Sequence, residues 1–290
     1  MKIYDFDVED EIIKVDMNLK NVETLKNSFA DHTMEYRKFS EDIDLEIKVL
    51  SDCIDSYERA LLIGVYTYAE QLVKNFYYEL LEKDRTNSKC INNFIDKKLD
   101  VEKFSPNVKY DSLENNIKNE LFPEFQFIIK KEREEISKYD DIIKDRHRYA
   151  HRGIYQSSIE QYHDVINAEK FITTELKMIV ANGTNYRIQY QDDWKEIISL
   201  SDECYKLYKQ FKNNKHPEPK RKLVQKTKLL RNKSKIFYNK YSFYIDECFL
   251  LEKVKNQLLI VNAMDLRMVS SFSIIEDLFT AIKNSKIAIK

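Results

Sequence analysis

Apolar residues recur at helical spacing along almost the whole chain, and nowhere does a sustained alternation of apolar and polar residues call for a strand. From about Leu19 to Leu50 the series Leu25, Phe29, Tyr36, Phe39, Ile43, Ile47 and Leu50 predicts one long amphipathic helix. Between Ile54 and Leu81 the apolar positions thicken: Leu61, Leu62, Val65, Tyr66, Ala69, Leu72, Val73, Phe76, Tyr77 and Leu80. A helix apolar over most of its circumference is a central one. Residues 84–111 hold short pieces and the loop Ser105-Pro106-Asn107, and a weak helix follows near 112–121. Pro123 is suited to the first turn of the next helix. Ser137-x-x-Asp140 reads as the start of a helix that runs to Arg152 and is capped by Gly153. Ser157-x-x-Glu160 reads as the capping box of another, ending at Asn182-Gly183.

Beyond Gly183 a helix from Tyr186 to Phe211 carries the single tryptophan, Trp194. Residues 213–222, with Pro217 and Pro219, read as an extended basic linker whose character continues through Lys226, Lys228, Arg231, Lys233 and Lys235. Apolar residues return at helical spacing in Phe237, Tyr241, Tyr244, Ile245, Cys248 and Phe249, and a last helix starts near Ser271 or Ser273. The expected organisation is a helical domain over 1–183 and a helical C-terminal region over 184–290.

Composition supports this reading. Three glycines and four prolines in 290 residues leave few positions for the positive-φ turns on which strand architectures depend, so an all-α fold is expected. A net charge of −1 argues against nonspecific coating of nucleic acid by the whole surface. Cys53, Cys90, Cys204 and Cys248 show no metal-binding or disulfide spacing, and three of them fall in apolar helical patterns expected to bury reduced thiols. No apolar run approaches the roughly 18 residues of a membrane span, and the acidic N-terminal residues lack a signal-like apolar core, so a cytoplasmic protein is expected.

The densest chemistry is Asp145-Arg146-His147-Arg148-Tyr149-Ala150-His151-Arg152-Gly153. The apolar stripe of its helix runs through Tyr139, Ile142 and Ile143 to Tyr149 and Ala150, and Arg146 falls on that stripe. A guanidinium there is costly unless a carboxylate, a carbonyl or a ligand satisfies it. His151 lies beside it, whereas Arg148 and Arg152 are expected to face solvent. Arginine with histidine suits a phosphodiester whose nucleophile is the RNA 2′-OH. Imidazole can take one proton and give another, and the guanidinium can hold the charge that develops on phosphoryl oxygens. The Arg-x4-His spacing carries little weight by itself, because the chain has eleven arginines and five histidines. A charged helix end with an internally paired Arg146 fits it as well.

Arg146, His147 in the polar position, Ala150, His151 and Gly153, together with the helix segment Tyr66–Val73 that bears Glu70, resemble the HEPN superfamily of helical ribonucleases, those of the RiboL-PSP type above all. The resemblance covers residues 20–182. It implies an up-and-down helical bundle and a metal-independent endoribonuclease, with Arg146 and His151 as the catalytic pair and Glu70 orienting Arg146. It also implies a homodimer with a composite active site, and a role in a bacterial toxin–antitoxin or antiphage system with a corresponding partner. In this reading Arg148, Arg152 and Tyr155 contact RNA, His147 supports catalysis, and neither cofactor nor metal is needed. The sequence departs from the family where asparagine is common, at His147, and where some toxins carry a tyrosine, at Gly153.

Two other readings stay open. A catalytically silent helical module could use the same fold to dimerise or to bind RNA or protein. His147-x3-His151 is also compatible with zinc, with His163, Asp141 or Asp145 as a third ligand. The basic run over 215–240, interleaved with Phe237, Tyr238 and Tyr241, reads either as an RNA contact or as a solvated linker.

Overall fold

The computed structural model describes residues 6–83, 85–100, 103–214, 217–246, 252–266 and 269–285. Among them are eleven α-helices and no strand, so the chain is all-α. No described helix is long and apolar enough to cross a membrane.

The expected helix over 19–50 is three. Helix α1 (Val8–Asp31) starts on Asp7, whose carboxylate accepts from the backbone N–H groups of Glu9 and Asp10. Helix α2 (Thr33–Asp42) follows, and Asp44 turns the chain at a positive φ of 54° before α3 (Ile47–Lys83). Asp tolerates this left-handed conformation better than most residues, so the break needs no glycine. Helix α3 is the central one: Leu62, Val65, Tyr68, Ala69, Leu72, Val73 and Phe76 are buried around most of its circumference. It packs against α1, α2 and α6.

Helices α4 (Lys89–Lys98) and α5 (Tyr110–Glu120) flank the Ser105-Pro106-Asn107 loop. Pro123 opens no helix; residues 121–133 form turns that bury Phe125, Phe127, Ile128 and Ile129. Helix α6 (Glu134–Arg152) begins three residues before Ser137. Asp140 therefore lies inside α6, where it accepts the backbone N–H of Tyr110 and caps α5 instead. Helix α7 (Gln161–Asn182) starts three residues later than a capping box over Ser157-x-x-Glu160 implies. Ser158 N–H donates to the Gln161 side chain, and Ser157 is drawn away to Asp145. Gly183 caps α7 at φ 71°, its N–H donating to Ile179 C=O.

The chain divides into two compact units, Met1–Asn119 with Glu134–Thr173, and Glu120–Arg133 with Thr174–Lys290. The divide falls inside α7, ten residues before the expected boundary at 183/184. In the second unit α8 (Thr184–Asn214), α9 (Pro217–Asp246), α10 (Glu252–Ala263) and α11 (Ser273–Ser285) each pack on the next, and α11 returns to α8. Its core holds Trp194 against Phe237, Tyr190 against Tyr241, and a fully buried ion pair, Arg187–Glu175, at 2.8 Å.

The stretch 213–222, expected to be an extended linker, is helical from Pro217 onward. Pro217 opens α9 as a first-turn proline, and Glu218 and Lys222 pair across its first turn at 2.8 Å. Residues Leu223, Thr227, Leu230, Ser234, Phe237 and Tyr241 form its buried seam. The expectation of buried thiols holds for Cys204, which burial pushes up to about 11, but Cys53 and Cys90 are exposed. Cys248 and Phe249, with the side chains of Tyr244 and Ile245, lie outside the described residues.

Candidate functional site

The site stands on the last two turns of α6. Gly153, at φ 64°, donates its N–H to Tyr149 C=O and ends the helix, so the chain folds straight back beneath it. What holds that return is Asp145, not Arg146. Asp145 is 3% exposed and accepts the Ser157 hydroxyl and, at 3.2 Å, the backbone N–H of Gln156. Arg148 completes the latch with an ion pair to Asp145 at 3.0 Å and a hydrogen bond to the Gln156 side chain. Arg148, expected to face solvent and meet RNA, has a side chain 40% exposed whose guanidinium also makes these contacts within the protein. Tyr155 is also committed: its hydroxyl donates to Glu58 at 3.3 Å and lies 3.2 Å from that of Tyr162, and burial raises its pKa.

Arg146 is half-buried, and what satisfies it is an aromatic face. Its guanidinium carbon lies 4.0 Å from the centroid of Tyr66, on α3. Such a stack contributes roughly 0.5–2 kcal/mol and leaves the N–H edge free to donate. Arg146 has no carboxylate partner among the described residues, and Glu70, expected to orient it, forms an ion pair with Lys74 at 2.8 Å. The same Tyr66 ring meets His147 edge-on, with centroids 5.8 Å apart and planes at 76°. One tyrosine therefore supports two members of the motif.

His147 is held below its ordinary pKa, first by partial desolvation and then by the charges of Arg146, Lys109 and His151. Those four side chains thus share one electrostatic neighbourhood, assembled from α6 and from Lys109 just before α5. His151, Arg152 and Ala150 are exposed, so the apolar stripe expected to reach Ala150 stops at Ile143. Tyr66 and Lys109 had been given no part in the site, and Asp145 had been considered only as a zinc ligand. Only Asp145 carried a local signal, its place beside the motif.

The donors considered for zinc are engaged elsewhere: His163 bonds Glu23 at 2.6 Å, Asp141 pairs with Lys144 at 2.7 Å, and Asp145 holds the loop. Among the described residues no three His, Cys, Asp or Glu side chains gather as a ligand set.

No protein-family model matches the chain, and no curated protein or solved structure matches it either. A fixed guanidinium, an imidazole biased toward its neutral form, a second imidazole one turn along and a nearby ammonium can bind a phosphodiester and move a proton on either side of it.

Proposed function

We propose that the chain is a metal-independent endoribonuclease of HEPN type, acting as a homodimer in a bacterial toxin–antitoxin or antiphage system. The observation that carries this reading is the shared neighbourhood of Arg146, His147, His151 and Lys109, in which His147 is pushed toward the neutral state a base requires. In the proposed reaction neutral His147 takes the 2′-OH proton as the 2′-oxygen bonds to phosphorus. Protonated His151 gives its proton to the 5′-oxygen as the phosphorus–5′-oxygen bond breaks, leaving a 2′,3′-cyclic phosphate and a 5′-hydroxyl. Arg146 neutralises charge on the non-bridging oxygens, an effect worth several kcal/mol where donors are pre-positioned. The dimer would bring two such arrays into one cleft.

The test is purified protein with mixed tRNA and mRNA in EDTA. Cleavage with cyclic-phosphate ends that is abolished by His151→Ala and Arg146→Ala is the expected result. Intact RNA, or cleavage that requires Mg²⁺, would overturn the proposal. Toxicity on expression, relieved by Arg146→Ala, tests the toxin branch, and co-purification of a neighbouring gene product tests for an antitoxin or defence partner.

One observation favours a second reading, a non-catalytic helical module for dimerisation or for RNA or protein binding. Arg148, Tyr155 and Glu70, three of the residues assigned to RNA or catalysis, are tied into internal contacts. In that reading Arg146 serves mainly to cover Tyr66, and RNA incubated with the protein stays intact while still binding.

A further inference from the structure

Helix α9 sets six of its cations in two rows. Between Lys220 and Ile245 it contains nine, at 220, 221, 222, 226, 228, 231, 233, 235 and 240, and no acidic residue, although the whole chain carries a net charge of −1. Its buried seam, Leu223, Thr227, Leu230, Ser234, Phe237 and Tyr241, follows the alternating four–three spacing of a heptad pattern. On the side facing α8, Lys226, Lys233 and Lys240 recur every seven residues. Each meets a carboxylate of α8: Glu203 at 2.6 Å, Glu196 at 2.8 Å and Asp193 at 2.9 Å. This inner row is neutralised within the second unit.

The outer row is not. Arg221, Lys228 and Lys235, again seven apart, are exposed and have no ion-pair partner among the described residues. They stand about 10.5 Å apart along the helix, at 1.5 Å per residue. Beside them runs a third heptad row, Gln225, Asn232 and Asn239, exposed amides that both donate and accept hydrogen bonds. A pattern that left its cations to solvation alone would have no reason to pair one row so completely and leave its neighbour without any carboxylate.

We infer that the outer face of α9 binds the phosphate backbone of an RNA strand through Arg221, Lys228 and Lys235. Charge complementarity selects the occupant: an unpaired row of cations fits a polyanion, and flanking amides fit ribose and base edges. A membrane surface fits less well. The helix has already buried its apolar seam in the bundle, and among the described residues its large apolar side chains left exposed are Leu229 and Ile236, at 41% and 61%. The inference rests on RNA being the substrate, and it deepens that reading by giving the second unit the task of holding the strand.

Three phosphate contacts on single-stranded RNA contribute about 2 to the slope of log affinity against log salt, at ~0.7 each. Between 50 and 200 mM salt that is about a 20-fold loss of affinity. The experiment uses the full chain with His151→Ala and a fluorescein-labelled single-stranded RNA of mixed sequence, read by anisotropy across that salt range. The triple variant Arg221→Gln, Lys228→Gln, Lys235→Gln should weaken binding at least tenfold at 50 mM and flatten the slope by about 2. The charge-neutral control Glu203→Gln, Lys226→Gln should change neither. An unchanged slope in the triple variant, or an equal loss in the control, overturns the inference. So does α9-dependent binding to phosphatidylcholine vesicles with about 30% phosphatidylserine in place of RNA. Circular dichroism of the triple variant, whose substitutions are all on the surface, should match the parent. The two proposals fail separately. Wild-type protein that binds RNA through α9 without cleaving it removes the ribonuclease and keeps this surface. Cleavage with KM unaffected by the triple variant removes the surface and keeps the ribonuclease. A raised KM at unchanged kcat supports both.

Discussion

Replacing Asp145 with alanine tests whether the candidate site is held by its own latch. The carboxylate is almost wholly buried, and three groups converge on it: the Ser157 hydroxyl, the Gln156 backbone N–H and the Arg148 guanidinium. Hydrogen bonds to a charged acceptor are worth roughly 1.5–3 kcal/mol each, toward the low end where long, as the 3.2 Å contact from Gln156 is. Ser157, 8% exposed, would be left with a buried hydroxyl and no acceptor. The Arg148 side chain is 40% exposed, so its pair adds under about 1 kcal/mol after screening. Asp145→Ala should therefore cost about 3 kcal/mol in urea unfolding followed by circular dichroism, with Ser157→Ala near 1 and Arg148→Gln below 1. A double-mutant cycle of Asp145 and Ser157 should show a coupling of at least about 1 kcal/mol. A cost below about 1 kcal/mol for Asp145→Ala would refute the reasoning. So would an equal cost for Arg148→Gln, since it would place the latch in the exposed ion pair and not in the buried hydrogen bonds.

Two further outcomes follow from titration. In an NMR pH titration the His147 ring should show a midpoint below its ordinary 6.5, and Arg146→Gln should move it upward; because the folded-state value is depressed, the stability linked to His147 is present above pH 6.5 and is lost as pH falls through the folded midpoint, a slope that His147→Gln should remove. Glu169 is 1% exposed, neither of its carboxyl oxygens has a hydrogen-bond partner among the described residues, and burial raises its pKa well above the usual 4.5. The fold therefore keeps its proton where the unfolded chain loses it, so stability should fall by up to about 1.4 kcal/mol per pH unit as pH rises above 4.5, until the folded-state pKa is passed. Glu169→Gln should abolish that slope in urea melts between pH 5 and 8, and an unchanged slope would place the proton elsewhere.

The features that could be read from the sequence are those fixed by one residue's backbone or by dense apolar periodicity. Gly153 and Gly183 had to end helices because each occupies a positive φ, and α3 had to be central because its apolar residues leave no broad polar face. The end of α6 was harder. After Ile143 the apolar series stops, so nothing local sets the rotational phase of the last two turns, and neighbouring residues differ by about 100° around the axis. A shift of one position is the whole difference between Arg146 in the core and Asp145 in the core. Pro217 misled for a related reason: Pro-Glu-Pro in a basic stretch reads as a linker, yet proline is equally at home in a first turn. The four–three seam from Leu223 to Tyr241 was visible in that same stretch and masked by the lysines around it. Tyr66 and Lys109 left no local trace, because Tyr66 acts across 80 positions of sequence on Arg146 and Lys109 across 38 on His147.

The motif thus separates into two sets with different duties. Buried Asp145 and partly exposed Arg148 fasten the returning loop; Arg146, His147 and His151 stay available, with the first two braced on one ring. That division bears on whether the site is chemical. A helix end that only needed to be stable would neutralise Arg146 with a carboxylate, as α8 and α9 do for three successive lysines. Here the guanidinium is fixed by Tyr66, which costs it little of its charge and none of its donors, and that charge is left to depress the neighbouring imidazole. A stacked, unneutralised arginine beside two histidines is stable enough to persist and incomplete without an anion. The proposed phosphodiester substrate is an anion whose chemistry would use all three.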